Sequence, residues 1–145
     1  MAQNSEIAEH TQTFTHRYIV HYPAHEPRPE DPYYATFNAY RRQHIATAKC
    51  QFGVDRGGDF SECDLTHPLE LHHAHIEFAL LNEVDWKLLE TQYPGISTPH
   101  QVGAWIESGA NLMFLCRYHH RGHGGVHNAT SSDYQAEHFI RQLIR

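Results

Sequence analysis

Two short runs bring histidines together in this chain. One is Leu69-Glu70-Leu71-His72-His73; the other is Asn111-Leu112-Met113-Phe114-Leu115-Cys116-Arg117-Tyr118-His119-His120. Each sets a His-His pair at the edge of an apolar, strand-like run. A core strand has no use for two imidazoles there unless they bind something, usually a metal or a phosphate. Phosphodiester hydrolysis is chemistry that such groups can do. It needs a base to deprotonate water and a cation to stabilise the leaving oxygen. A neutral imidazole suits the base, and further imidazoles suit a single divalent cation. An asparagine, both donor and acceptor, can pin the loop that aims the base.

The order His72-His73, then Asn111, then His120 nine residues later, resembles the motif of HNH endonucleases. The matching segments lie around residues 63–75 and 110–127. The ending Cys-x-x-His-His-Arg-Gly-His-Gly-Gly-Val-His is similar to that of small phage and actinobacterial members. The resemblance implies an α+β fold: a ββα-metal core with flanking helices and a long helical insert between the two core strands. By the same resemblance, His73 is the general base and Asn111 orients it. His72 and His120 are metal ligands; His-His at the first position resembles the colicin-type DNases. The third ligand is His127 or His123, with His127 preferred. His75 adds an alternative. On a straight strand it would share a face with His73 and leave His72 a bystander, whereas a bend at the strand end lets His72 and His73 converge.

Many proteins that carry this motif also clip a zinc between two Cys-x-x-Cys pairs. Here the downstream pair would be Cys116 and His119, and the upstream pair Cys50 and Cys63, separated by twelve residues. Three thiolates and an imidazole suit tetrahedral zinc. Three cysteines are an odd number, which argues against a closed disulfide framework.

The elements that must position these groups are readable from patterning. Residues 1–12 are polar and expected to fray. Phe14 to Val20 alternates like a strand, and four prolines between Tyr22 and Pro32 impose an extended loop. Tyr33 to Thr47 is expected to be helical, and Cys50 to Cys63 a turn or loose hairpin. Leu69–His73 and Leu112–Leu115 are expected strands. Between them, Ile76, Leu80, Val84 and Leu88 suggest helix, with Asp85 capping a second piece; Ser97 or Thr98 caps a helix that ends by Gly109. Arg117 starts a helix that the following glycines stop. Ser131 or Ser132 caps a last helix whose Ala136, Phe139, Ile140, Leu143 and Ile144 form a core-packing stripe.

The 145 residues suit one domain. It is divided into an N-terminal strand, loop and helix extension (1–48), a core (49–130) with insert 74–110, and a C-terminal helix (131–145). There is no long apolar span and no signal-peptide pattern at the start, so a cytoplasmic setting is expected. The net charge of −6 argues against strong nucleic-acid binding by bulk charge. The surplus is concentrated: residues 64–110 carry seven acids against one base. The insert is therefore expected to face away from DNA or to contact a protein partner. The expected function is DNA phosphodiester hydrolysis, by nicking or cutting, with Mg2+, Mn2+ or Ni2+ at the site, a structural Zn2+, and low sequence specificity. The alternative is a zinc-stabilised binding module of the same fold that cuts weakly or not at all.

Overall fold

The computed structural model describes residues 6–145. Its architecture is mixed helix with one small two-stranded antiparallel sheet. In chain order the regular elements are α1 (Tyr34–His44), α2 (Gln51–Asp55), β1 (Glu70–His73), α3 (Trp86–Gln92), α4 (Pro99–Ile106), β2 (Leu112–Leu115), α5 (Arg117–Arg121) and α6 (Ser131–Glu137), with 3-10 helices at Arg28–Glu30 and Phe78–Glu83.

The sheet register pairs Glu70 with Leu115, Leu71 with Phe114, His72 with Met113 and His73 with Leu112. Side chains alternate between faces along a strand. One face of the sheet therefore carries Leu71, His73, Leu112 and Phe114, and packs on Phe37, Tyr40 and Ile45. The other carries Glu70, His72, Met113 and Leu115. Leu115 and Met113 there join Cys50, Phe52 and Cys116 in a second cluster. The insert has a core of its own, Leu89, Ile96, Val102 and Ile106.

Local chemistry sets most boundaries. The Asp85 carboxylate accepts from the backbone N–H groups of Lys87 and Leu88, starting α3. Thr98 caps α4, with Pro99 in its first turn. Arg117–Arg121 stops at Gly122.

Three expectations need correction. Phe14 to Val20 is not a strand: it has no regular structure, and Phe14, Tyr18 and Ile19 are exposed. A strand pattern without a partner leaves its backbone groups to water, and among the described residues β1 and β2 pair only with each other. The Cys50–Cys63 segment is not a hairpin; it holds α2 and then turns at Gly57 and Gly58, both at positive φ. The last helix is capped by Thr130, not by Ser131 or Ser132, and it ends at Glu137. Once helical geometry stops there, the spacing of the expected stripe no longer falls on one face, and Phe139, Ile140 and Leu143 remain exposed. Residues 1–5, part of the segment expected to fray, lie outside the described residues, and 6–12 have no regular structure.

What α6 does bury is Glu137, whose Oε2 has no hydrogen-bond partner. Burial raises its carboxyl pKa from 4.5 to about 7. Across that window the unfolded chain binds fewer protons than the folded one, so stability falls as pH rises. Glu137→Gln should remove this term: its melting temperature should gain on wild type between about pH 5 and about pH 7. An unchanged difference across that range would contradict the assignment.

Candidate metal centres

Two groups of metal-ligating side chains converge. Cys50, Cys63, Cys116 and His119 offer donor atoms that all lie within 4.8 Å of one another. His119 Nδ1 is 3.2 Å from Cys116 Sγ, 3.7 Å from Cys63 Sγ and 3.9 Å from Cys50 Sγ. A tetrahedron with metal–sulfur bonds of about 2.3 Å has donor–donor edges of roughly 3.8 Å, so this cluster is compatible with a structural zinc site. Two of its members sit at helix starts. Cys50 precedes α2, and Cys116 is the N-cap of α5, its sulfur accepting from the His119 N–H. The ring of His119 stacks on Phe52 with centroids 3.6 Å apart. The twelve residues between Cys50 and Cys63 are taken up by α2 and the glycine turn, which bring Cys63 back beside Cys50.

Hydrogen bonds from Cys50 and Cys63 push the Cys116 thiol down, while those with Cys116 and Cys50 push Cys63 up. Burial opposes charge on His119, but its bonds to Cys116 and Cys50 outweigh burial and raise it to about 9. Packed this closely, three sulfurs cannot all ionise without a positive partner. All three cysteines are free thiols.

The second group is His72, His120 and His127. His72 is buried on β1, and its Nδ1 has no hydrogen-bond partner. A buried, unpartnered ring nitrogen beside two further imidazoles fits a metal ligand. His120 Nδ1 donates to Glu70 Oε1 at 3.3 Å, which leaves its Nε2 with a lone pair. That Nε2 lies 3.1 Å from His127 Nε2. A carboxylate behind a ligating imidazole is a common way to fix its tautomer. Burial, then the neighbouring imidazoles, lowers His72 to about 4, and burial lowers His120 too, the direction that favours the neutral ring a metal ligand needs.

The choice between His123 and His127 is made by the backbone. After α5 the chain turns back on itself: Val126 N–H donates to His119 O and His127 N–H to His120 O. Gly125 permits this return, since a Cβ there would meet Tyr118 O at 2.7 Å and His120 O at 2.8 Å. His127 thus joins His120, and His123 stays outside the group, exposed. His75 is also outside, exposed beyond the end of β1, with its ring near Tyr93 and Trp105.

His73 lies on the opposite face of β1 from His72, so the adjacent rings diverge where the motif resemblance had them converge. His73 is buried and stacks on Phe37 at 5.2 Å. Its Nε2 donates to Glu107 Oε2 at 3.1 Å, and its Nδ1 faces Glu77 Oε2 at 3.4 Å. Burial pulls its pKa down, yet the two carboxylates outweigh burial and raise it to about 8. Burial likewise opposes charge on Glu77 and Glu107, but the His73 contacts hold both below the usual carboxylate range. Asn111, fully buried, accepts at Oδ1 from His75 N–H and Ile76 N–H. Its Nδ2 donates to Ile76 O and Ile106 O. It therefore pins the turn that follows His73.

The patterning did not single out Glu77 or Glu107. Both belong to the insert expected to face away from DNA or to contact a protein partner, and both turn toward His73. The one signal for Glu107 is an acid directly after the buried face of α4.

No family model, curated protein or solved structure matches the chain. Among the described residues, no helix is long and apolar enough to cross a membrane.

The Cys-His cluster generates a direct expectation. The purified protein should hold zinc, and Cys63→Ser should lower both bound zinc by elemental analysis and the melting temperature, the latter by on the order of 10 °C. Unchanged zinc content and melting temperature would show that the cluster is not a zinc site.

Proposed function

We propose that the chain is a divalent-metal-dependent endonuclease of the HNH type that hydrolyses DNA phosphodiester bonds. The observation that carries this reading is the convergence of His72, His120 and His127 on a strand–strand–helix unit that also holds His73 and a buried Asn111. The order of elements, β1, β2 and α5, agrees with a ββα-metal core. A divalent cation held by the three imidazoles would neutralise charge on the scissile phosphate and the leaving oxygen.

The remaining work falls to His73. It takes a proton from the attacking water, whose oxygen bonds to phosphorus as the bond to the leaving 3′ oxygen breaks and that oxygen is protonated from solvent. By the family resemblance the product carries a 5′-phosphate. Glu107 can only accept a hydrogen bond, so Nε2 carries its hydrogen and Nδ1 is the nitrogen available as base. Glu77 must therefore release Nδ1 before a water can occupy that position. Asn111 holds the turn after His73 and thereby the end of the strand that carries the base.

Arg117, Arg121, Arg141 and Arg145 are the basic groups nearest this unit in sequence. Arg121 is paired with Glu70, and Arg141 with Asp59, so phosphate contacts would be few and blind to sequence. Low specificity, or specificity borrowed from a protein partner that docks on the exposed acids of the insert, follows from this.

One observation favours a second reading, a zinc-stabilised binding module that does not cut. Both ring nitrogens of His73 face carboxylates, an arrangement that suits an imidazolium.

A plasmid assay separates the two. Supercoiled DNA should be nicked by the purified protein with Mg2+, Mn2+ or Ni2+. His73→Ala should lower the rate by about a hundredfold or more while zinc content is retained, and His120→Ala should raise the concentration of added metal that nicking requires. Running RNA and modified DNA alongside identifies the substrate. Absence of nicking by wild type with all three metals would leave the binding module as the reading.

A further inference from the structure

We propose that Arg28 and Glu107 are a buried positioning pair for His73, so that the N-terminal extension and the insert are both parts of the catalytic centre. The inference rests on His73 being the base.

Glu107 is 1% exposed, and both of its oxygens are in use. Oε2 accepts from His73 Nε2 at 3.1 Å, and Oε1 accepts from Arg28 Nη1 at 2.6 Å. A buried carboxylate needs a counter-charge, and Arg28 supplies it from a position 79 residues away in sequence. The guanidinium is itself held. Its Nη1 also donates to Asp31 Oδ2 at 2.6 Å. Its carbon lies 4.2 Å from the ring centre of Phe78, 4.6 Å from that of Phe37 and 4.8 Å from that of Tyr34. Phe37 is the ring on which His73 stacks. Arg28 thus reaches His73 by two routes, through Glu107 and through Phe37.

The chemical consequence is a choice of tautomer. A carboxylate locked by arginine has no hydrogen to give, so the His73 nitrogen it touches must be the donor. The lone pair can then reside only on Nδ1, on the side of Glu77, whose side chain is 36% exposed. The sheltered carboxylate orients the ring, and the exposed one can exchange for water. A glutamine at position 107 would reverse this. Its oxygen would stay on Arg28, and its NH2 group would donate to His73 Nε2, moving the ring hydrogen to Nδ1.

The test uses the full-length, zinc-loaded protein. Imidazole 15N–1H correlation spectra read the His73 tautomer, and plasmid nicking with Mn2+ reads kcat and KM. At a pH high enough to deprotonate the ring, wild type should show hydrogen on Nε2 alone. Glu107→Gln should move it to Nδ1 and lower kcat by about a hundredfold with KM little changed. Arg28→Lys keeps the charge but not the planar group that lies over Phe37 and Phe78 while its Nη1 donates to Asp31 and Glu107, and should lower kcat by about tenfold while leaving zinc content intact. The pair is refuted if Glu107→Gln keeps the wild-type tautomer and kcat. If that variant does not fold, Arg28→Lys decides alone: wild-type kcat and an unperturbed His73 spectrum refute the pair. If wild type does not nick, the nuclease reading fails by itself, and the spectra still decide whether the pair sets the tautomer.

Discussion

The carboxamide of Asn111 lies wholly inside the protein and makes four hydrogen bonds there, two accepted from His75 and Ile76 and two donated to Ile76 and Ile106. Few side chains can do this: it takes two acceptor lone pairs and two donors on one short planar group. The bonds tie the turn after β1 to the last turn of α4. Since Ile106 is followed by Glu107, and His75 lies two residues beyond His73, the amide also sets the distance between the imidazole and its buried carboxylate. A buried polar group left without partners would cost on the order of 1–3 kcal/mol each time, so the site and the local fold are specified by the same contacts.

A four-residue strand then divides the chemistry. Because alternate residues point to opposite faces, His72 and His73 leave β1 in different directions, and Glu77, which lies against His73, is also within electrostatic reach of His72 and His127. His72 turns toward α5 and the returning loop, where His120 and His127 meet it. His73 turns toward α1 and the insert, where Phe37, Glu107 and Glu77 meet it. The insert therefore does more than enlarge a small core. Of its five acids, two face inward on His73, while Glu83 and Asp85 are exposed. Its acidity is partly internal to the site, offset by Arg28 and by the imidazole.

The Cys-His cluster plays a different part. It joins α2, the turn that follows it and α5, elements too short to hold themselves in place. α5 has five residues and α2 has five, well below the length at which isolated helices persist. A tetrahedral ion bridging them is the kind of constraint that short helices need. The same α5 carries His119 into this cluster and His120 into the other, so the two centres are coupled through one helical turn.

By itself the sequence determined the two strands, the cap at Asp85 and a cap at Ser97 or Thr98, because these depend on short-range spacing and on residue chemistry; the candidate ligand sets came from the resemblance of its motif. It also determined the importance of Asn111, a polar residue at the mouth of an apolar run. It misplaced the strand at Phe14 to Val20 and the C-terminal stripe, since alternation and helical spacing state a capacity to pack, not the presence of a partner. Only the tertiary structure decided that His127 and not His123 joins His120, because a backbone return over Gly125 carries no periodic signal. Only it decided that Arg28, Glu77 and Glu107 meet at His73. Those contacts join residues up to 79 positions apart, and ion pairing across such separations is set by how the elements pack.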